Sequence, residues 1–165
     1  MSDRSGLSPT PSRMTTRGYG FENATSQPGE RFPWSRVEEV LAGARNYWIA
    51  TVTPDRRPHA APVWAIWLNS RVYFSTGKES RKGRNLARNP HVTLHVETPD
   101  GSVVIVEGRV EEVSDEAKLK PVWNAYNQKY NWEVSGYPFY IVTPRVAFSF
   151  QEQLGETATR WTFAP

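Results

Sequence analysis

The amino-acid sequence predicts a mainly β domain, an antiparallel β-barrel with helices inserted between some of its strands. Three observations support this prediction. Runs of β-branched and aromatic residues recur along the chain and are separated by short turns. Only three stretches are predicted as helices, from capping residues, stop signals or apolar spacing. Closure into a barrel would also remove the edges that such long β-branched runs leave unpaired in an open sheet.

The first half of the chain is expected to hold two helices and three strands. Ser35 and Glu38 have the spacing of a capping box, and apolar residues at helical spacing follow as far as Gly43. Pro54 and Asp55 mark a turn between two strands, which we interpret as a hairpin. The predicted elements are a helix at 35–43, strands at 47–53, 60–68 and 72–75, and a short helix at 81–88 that is capped by Ser80 and stopped by Asn89-Pro90.

The second half is expected to hold several strands around one longer helix. Residues 98–101 are a strong turn signal, and Gly108 is typical of a bulge within a long strand. Ser114 or Asp115 would cap the helix, and Pro121 would kink or interrupt it. The predicted elements are strands at 92–97 and 103–113, a helix from 115 to about 130, an extended link at 137–142, a strand at 145–151, and a short last strand at 158–163.

Residues 1–33 are expected to form a flexible N-terminal arm, and residues 34–165 a single domain. The arm is rich in Ser, Thr, Pro, Gly and Arg and has no sustained apolar periodicity. Such a composition buries too little apolar surface to offset the entropy of ordering the chain. The sequence offers no secretory signal and no membrane-spanning stretch, and it has no cysteine, which excludes disulfides, thiolate metal sites and thiol nucleophiles. We therefore expect a cytoplasmic protein.

The positive charge of the chain is concentrated in residues 76–91. This segment has five Lys or Arg residues and one Glu, a net charge of +4, whereas the whole chain carries +3. It follows a short apolar strand and includes a predicted helix N-terminus, where free N–H groups favour anions. The segment therefore predicts a phosphate-binding site, although a solvated basic helix face has the same composition. The candidate phosphate ligands are Thr76, Ser80, Arg81, Lys82 and Asn85.

The strand at 58–64 has an unusual composition. Pro58 and Pro62 lie on either side of His59 and two alanines. Proline within a strand marks an edge or an irregular backbone. Small residues beside free backbone groups would allow a flat ligand to approach closely. An edge strand that is protected from aggregation has the same signature, so both interpretations stay open.

Several other kinds of site are not supported. His91 and His95 would share a strand face but lie roughly 13 Å apart, so we expect no metal site. The sequence has no motif of a nucleophilic hydrolase, a dinucleotide-binding fold or a P-loop. The basic residues lie at a helix start and are not interleaved with aromatics along a strand, so nucleic acid is not expected as a partner. Any redox chemistry would therefore come from a bound cofactor.

Residues 47–113 resemble the pyridoxamine 5′-phosphate oxidase-like split-barrel family, and most of all its flavin and deazaflavin oxidoreductase branch. The resemblance lies in the motifs WIATVTPDRRPHAAPVW, VYFSTGKESRKGRNLARNPHVTLHVE and VVIVEGRVEEV, and in the ending Arg160-Trp161-x-Phe163. It implies a six-stranded antiparallel split β-barrel of the FMN-binding type. It also implies a homodimer with the cofactor at the subunit interface.

The resemblance further implies which residues bind the cofactor. The basic segment would hold its phosphate, and the strand with the two prolines would line its ring, largely through the backbone. The implied cofactor-binding residues are His59, Pro62, Val63, Trp64, Ser75, Thr76, Ser80, Arg81, Lys82, Asn85, Arg160 and Trp161.

Two cofactors fit these expectations. FMN and coenzyme F420 both carry a phosphate on a ribityl chain, and F420 adds an anionic lactyl-oligoglutamate tail. Lys78, Arg84 and Arg88 exceed what one phosphate needs, which favours F420. We therefore expect an F420-dependent oxidoreductase that transfers a hydride between the deazaflavin and a small unsaturated or quinone-like acceptor.

Alternatives remain for both substrate and activity. Trp123, Tyr126 and Tyr130 have helical spacing and are candidates for the acceptor pocket, although such a stripe is also typical of a core or an interface. The alternative functions are an FMN-dependent oxidoreductase of the same family and a non-catalytic protein that binds a cofactor, or haem through a histidine. Vitamin oxidation is not assigned, because residues 152–165 offer only Arg160 for a second phosphate.

Overall fold

Nine antiparallel strands and four helices make up the part of the chain that the computed structural model describes, residues 8–15, 18, 21, 24–151 and 154–164. In chain order they are β1 (Thr10–Arg13), α1 (Trp34–Gly43), β2 (Tyr47–Val52), β3 (Pro58–Val63), β4 (Ala65–Leu68), β5 (Arg71–Ser75), α2 (Arg81–Arg88), β6 (His91–Glu97), β7 (Val103–Val113), α3 (Glu116–Tyr130), β8 (Phe139–Phe150), α4 (Leu154–Thr157) and β9 (Thr159–Thr162).

The strands close into a ring. β3 pairs with β2, which continues through β6 and β7 to β8. The first half of β8 pairs with β5, and β5 pairs with β4. Only Trp64 separates β3 from β4, so the chain itself joins the two ends of this path. With β3 and β4 counted as one bent strand, the ring has six strands, so the predicted six-stranded split β-barrel is confirmed. Outside the ring, β9 pairs with the second half of β8, and β1 pairs with β9.

The bend at Trp64 corrects the prediction of one continuous strand at 60–68. At this point α3 supplies hydrogen bonds that a neighbouring strand would otherwise make. The Tyr130 hydroxyl accepts from the Ala65 N–H at 2.9 Å and lies 2.8 Å from the Ala65 carbonyl oxygen. The Lys129 ammonium donates to the same carbonyl at 3.1 Å. These contacts satisfy the backbone where the pairing partner changes from β2 to β5.

Other predicted boundaries are also corrected. The capping box at Ser35 is wrong: α1 begins one residue earlier, and the Pro33 carbonyl accepts from the N–H groups of Arg36 and Val37 at 2.9 and 3.2 Å. The extended link at 137–142 is largely the first part of β8, because it finds partners in β5 and β7. α3 is capped by Asp115 and continues through Pro121.

A bulge lies beside Gly108 as predicted, but its extra residue is on the neighbouring strand β8 and not on β7. Glu107 pairs with Val146 and Gly108 pairs with Pro144, so Arg145 is the extra residue on β8. A Cβ atom at position 108 would lie 2.5 Å from the Thr143 carbonyl oxygen. Glycine is therefore required by the close approach of the two backbones.

The described part of residues 1–33 departs from the expected flexible arm. β1 pairs with β9, and Phe32 is only 1% exposed. The Glu156 carboxylate accepts from the backbone N–H groups of Thr25 and Ser26, both at 2.9 Å. This segment therefore packs onto the domain and belongs to it.

Two apolar clusters stabilise the fold. The larger one fills the barrel with β-branched and aromatic side chains, and α1 closes one end of it. The smaller one lies between α3 and the outer side of the β4–β5–β8 region. It consists of Ile66, Leu119, Val122, Tyr126, Tyr130, Val134 and Phe139. None of the helices in the described ranges has the length and apolar character needed to cross a membrane.

Candidate cofactor-binding cleft

A cleft of about 360 Å³ lies where the β3–β4 bend, the end of β5 and the start of α2 meet. It is lined by Asn46, Pro62, Val63, Trp64, Ser75, Lys82 and Tyr126. Five of these residues were predicted to bind the cofactor and one, Tyr126, to line the acceptor pocket. Asn46 was not predicted. It precedes β2, whose first residue pairs with Val63, and this register brings Asn46 beside Trp64.

The start of α2 offers unpaired hydrogen-bond donors. The Ser80 hydroxyl oxygen caps the helix by accepting from the Gly83 N–H at 3.0 Å. It also lies 3.0 Å from the Thr76 hydroxyl oxygen, so one donates to the other and one hydroxyl hydrogen of the pair is left over. Within the described residues, the backbone N–H groups of Arg81 and Lys82 have no acceptor. This arrangement suits an anion at the helix N-terminus.

The loop before α2 packs tightly against the first turn of the helix. A Cβ atom at Gly83 would lie 2.4 Å from the Gly77 carbonyl oxygen and 2.5 Å from that of Lys78. The Ser80 N–H donates to the Gly77 carbonyl at 3.0 Å. The glycine at 83 therefore allows the loop to close over the helix and fixes the donors in place before any ligand arrives.

The basic residues of this segment divide into two groups. Lys78 forms a 2.8 Å ion pair with Glu112, and the Arg84 guanidinium donates to the Glu79 carbonyl. The charge of Lys78 is thus offset by a carboxylate, whereas Arg84 has a hydrogen-bond partner but no ion pair in the described part of the chain. For Arg81, Lys82 and Arg88, the described part of the chain provides no ion-pair partner.

Asn85 does not face the cleft. It is 2% exposed, and its side-chain amide donates to the Thr51 hydroxyl at 2.9 Å, which ties α2 to β2. The same hydroxyl lies 3.4 Å from both the Nδ1 atom and the carbonyl oxygen of His59. Partial burial lowers the pKa of His59, and the positive charges of Arg81 and Lys82 lower it further. His59 therefore lies in the field of the α2 start, some way along β3 from the cleft wall.

Aromatic stacking fixes the wall of the cleft at Trp64. Its ring is parallel to that of Tyr130, with 4.7 Å between centroids and 4° between planes. The Arg45 guanidinium lies 5.6 Å from the centre of the Trp64 ring. Tyr130 is buried and hydrogen-bonded to the bend, so it supports the wall and does not line the cleft. Trp123 packs against the smaller apolar cluster and lies outside the cleft lining as well.

Two titratable groups near this wall have shifted pKa values. Burial raises the pKa of Tyr126 to about 12, and the neighbouring Tyr130 adds to the effect. Tyr126 therefore keeps its hydroxyl proton at neutral pH at the cleft surface. Burial lowers the pKa of Lys129 to about 8. Its ammonium group lies 5.3 Å from the ring centre of Tyr47 and 5.4 Å from that of Tyr130, behind the bend.

The two C-terminal candidates lie away from the cleft of their own chain. Trp161 is 3% exposed and packs 5.3 Å from Trp34, and its indole N–H donates to the Ser149 hydroxyl at 2.8 Å. This residue belongs to the core. Arg160 lines a second, broader groove of about 980 Å³ on the outer face of the sheet.

The outer face carries two rows of side chains that are half-exposed or exposed in a single chain. The pairing register places each row across β2, β6, β7, β8 and β9. One row is Ala50, Thr93, Glu107, Val146 and Thr162. The other is Trp48, His95, Ile105, Phe148 and Arg160.

The second row is the more apolar, and Trp48 at its end is 46% exposed. The Trp48 ring stacks on His95, with 6.4 Å between centroids and 8° between planes. His91 and His95 thus lie on this outer face, and His59 lies beside α2. No group of three or more potential metal-ligating His, Asp or Glu side chains gathers anywhere in the described ranges.

Comparison with known proteins identifies the family. The family model described as pyridoxamine 5′-phosphate oxidase matches residues 34–154. The chain is 44% identical over 69 residues to the pyridoxine/pyridoxamine 5′-phosphate oxidase of Methylibium petroleiphilum, a match covering 41% of this chain and 32% of that protein. The chain thus spans about a third of the length of this curated relative.

Solved structures agree with the fold. An F420 reductase is similar with a TM-score of 0.57 and 25% identity, over 67% of this chain and 94% of that one. A pyridoxamine 5′-phosphate oxidase-related, FMN-binding protein of Nostoc punctiforme is similar with a TM-score of 0.55 and 17% identity, over 75% of this chain and 83% of that one. Because the family model spans most of the chain and the barrel has the matching topology, this protein belongs to the pyridoxamine 5′-phosphate oxidase family.

Proposed function

We propose that this protein is an oxidoreductase that binds a phosphate-bearing deazaflavin or flavin in the cleft between β3, β5 and α2, with coenzyme F420 as the first candidate and FMN as the alternative. The observation that carries the proposal is the set of unpaired donors at the start of α2, beside a cleft with a flat aromatic wall. A phosphate monoester needs the first feature, and a planar ring system fits the second.

The residues present fit such a cofactor. Thr76, Ser80, the first two amides of α2 and the Lys82 side chain would hold the phosphate. Pro62, Val63 and Trp64 would line the ring. β3 pairs only with β2 in the described part of the chain, so the backbone groups on its other edge are available to polar atoms of a ring. Asn85 would act indirectly, by holding α2 against β2.

When bound in its two-electron-reduced form, F420 or FMN would supply a hydride to a small unsaturated or quinone-like acceptor and would itself be oxidised. The protein contributes position and a proton. The stacked Trp64 and Tyr130 rings exclude water from one side of the cleft. Tyr126 lines the cleft and is our candidate for the group that protonates the reduced acceptor; because burial raises its pKa, it would release the proton only as negative charge develops on the acceptor.

The choice between the two cofactors depends on charge. Arg81 and Arg88 remain available for the anionic tail of F420, but Lys78 and Arg84 already have partners, which weakens the argument from surplus charge. The likeness to an F420 reductase, which extends over 94% of that chain, supports F420. FMN needs only the phosphate site and fits it equally well.

We also propose that two copies of the chain associate through the outer face of the sheet. A row of aromatic and apolar side chains from Trp48 to Phe148 is half-exposed or exposed there in a single chain. Burial of such a row against a second copy removes apolar surface from water. Arg160 lies at the end of the row, so in a dimer it would be offered to the partner and not to the cleft of its own chain.

Separate titrations with FMN and F420, followed by absorbance and fluorescence, test the cofactor proposal. We expect one of the two to bind at micromolar concentration. Lys82→Ala should weaken that binding about tenfold to a hundredfold, about 1.5–3 kcal/mol, because a charge-assisted hydrogen bond to the phosphate is lost. Lys118→Ala is the matched control, since Lys118 is an exposed lysine on α3 whose one ion pair within the described residues is with Asp115, at 3.9 Å.

The possible outcomes are distinct. If neither cofactor binds, the proposed function is wrong. If Lys82→Ala and Lys118→Ala bind equally well, the phosphate lies elsewhere. Tight binding without reduction of any enone or quinone would point to a carrier protein, and a Soret band after haem titration would point to a haem protein.

A further inference from the structure

We propose that His59 is a titratable partner of the phosphate group bound at the start of α2, so that phosphate binding is coupled to the uptake of one proton by its imidazole. This inference rests on the proposed function, because it assigns a role to His59 within the same site. It assigns His59 to the phosphate of the cofactor, whereas the family resemblance implied a place beside the ring.

The pairing register sets the direction of the His59 side chain. His59 lies opposite Thr51 in the β2–β3 pair, and residues directly opposite in an antiparallel pair project from the same face of the sheet. Thr51 is buried beneath α2 and accepts a hydrogen bond from Asn85. The His59 imidazole is therefore on the face that α2 covers.

The Thr51 hydroxyl accommodates His59 in either protonation state. The Thr51 hydroxyl oxygen already accepts a hydrogen bond from the Asn85 amide. The hydroxyl hydrogen of Thr51 can therefore be donated to the His59 Nδ1 atom or to the His59 carbonyl oxygen, each 3.4 Å from the hydroxyl oxygen. When Nδ1 is unprotonated, it can accept that hydrogen. When Nδ1 carries a proton, it can donate to the hydroxyl oxygen, and the hydroxyl turns to the carbonyl. Protonation therefore requires no rearrangement of the backbone.

No carboxylate pairs with His59 among the described residues, although Asp55 lies close enough to Arg81 for that charge, after a hydrogen bond from Thr53, to lower the pKa of its carboxyl. α2 presents Arg81 and Lys82, and β2 presents only the neutral Thr51. The turn between β2 and β3 carries Asp55, which is paired with Arg57 at 2.6 Å. In the described part of the chain, no carboxylate forms an ion pair with His59, Arg81 or Lys82.

A phosphate dianion at the start of α2 would supply the missing negative charge. Before binding, Arg81 and Lys82 help to hold the pKa of His59 below its ordinary value. After binding, the phosphate offsets them, and the pKa of His59 should rise. Because the bound form then has the higher pKa, affinity should increase as the pH falls through the range in which His59 titrates.

Histidine-detected NMR tests this coupling without any measurement of activity. The sequence has three histidines, and His59→Gln identifies the signal of His59 by its absence. We expect saturating FMN to raise the pKa of His59 by about one unit, and riboflavin, which has the same ring without the phosphate, to leave it nearly unchanged. Inorganic phosphate should raise it in the same direction as FMN.

Affinity gives a second readout. If the pKa of His59 rises by about one unit, FMN should bind about tenfold more tightly at about pH 5 than at about pH 8, beyond any change found in His59→Gln. The second ionisation of free FMN is the same in both titrations and cancels in this comparison, so the remaining difference reports the coupling between His59 and the bound phosphate.

The results separate this inference from the proposed function. Equal pH dependence in the wild type and His59→Gln would overturn the inference, as would a riboflavin-induced shift as large as that with FMN. If FMN and F420 both fail to bind but inorganic phosphate raises the pKa of His59, the inference stands and the proposed function fails. If neither the cofactor that binds nor inorganic phosphate raises the pKa of His59, the inference is wrong.

Discussion

Single residues control how closely the backbones of this barrel approach each other. At Gly108, a Cβ atom would lie 2.5 Å from the Thr143 carbonyl oxygen, a distance that requires β7 and β8 to separate. We predict that Gly108→Ala lowers the free energy of unfolding by about 1–3 kcal/mol, measured by urea denaturation. Gly43→Ala is the control, because no described residue beyond its chain neighbours and its own helix backbone has an atom within 4 Å of the Cβ position. Equal unfolding midpoints for the two variants would contradict this reading of the bulge.

At the same scale, the sequence located much of the candidate site but not the partners of each side chain. Pro62, Trp64 and Lys82 were expected together, and all three line the cleft. Asn85 was expected to meet the phosphate, but its amide bonds to Thr51. Both outcomes are compatible with the same motif, because a polar side chain on a helix can face a ligand or a neighbouring strand. That choice depends on the packing of α2 against β2, which no local pattern contains.

At the scale of elements, the N-terminal segment is held to the domain by a carboxylate. Hydrogen bonds from the backbone of Thr25, and then of Ser26, lower the pKa of Glu156 from its ordinary value of 4.5 to about 2. A carboxyl group whose pKa is lower in the folded state stabilises the protein at pH values above its unfolded-state pKa. This stabilisation is lost as the pH falls through the folded-state pKa. The contribution of Glu156 to the free energy of unfolding should therefore be fully present above pH 4.5 and disappear towards pH 2.

We predict that Glu156→Gln has a lower unfolding midpoint than the wild type at neutral pH, and that the difference shrinks between pH 4.5 and pH 2. Thermal unfolding of both proteins across this range measures the difference. Glu38→Gln is the control, because within the described residues Glu38 forms no ion pair. A difference that is independent of pH would show that the carboxylate charge is not what anchors the segment.

The errors in the predicted elements have a common physical cause. β1 has the sequence TPSR, which has no apolar alternation, and it is a strand because β9 offers it an unpaired edge. The strand at 60–68 is broken at Trp64 because Tyr130 and Lys129 bond to Ala65 from α3. Elements with strong internal patterns, such as Val103–Val113 and Arg81–Arg88, were predicted with their observed limits. Local sequence predicts the limits of an element that has a strong pattern of its own. It fails where contacts with a distant segment determine those limits.

At the scale of the whole molecule, the barrel separates two surfaces. α3 packs on the outer side of β4, β5 and the start of β8 and supports the wall of the cleft. The outer sides of β2, β6, β7 and β9 are left half-exposed or exposed. The implied cofactor-binding residues Arg160 and Trp161 are away from the cleft of their own chain. Of the two, only Arg160 is on a surface that a second copy could cover, so association of two chains would decide whether it takes part in the site.

We predict that the protein is a dimer of about 38 kDa, twice the 18.8 kDa of one chain, by light scattering after size exclusion. Ile105→Asp should yield monomers, because it buries a carboxylate in the middle of the row between His95 and Phe148. Ala117→Asp is the control, since it adds the same charge at an exposed position of α3. If the wild type is a monomer at micromolar concentration, the outer face has another role. If Ile105→Asp is a monomer that binds FMN or F420 as tightly as the wild type, the cleft of one chain is sufficient, and the partner contributes nothing to cofactor affinity.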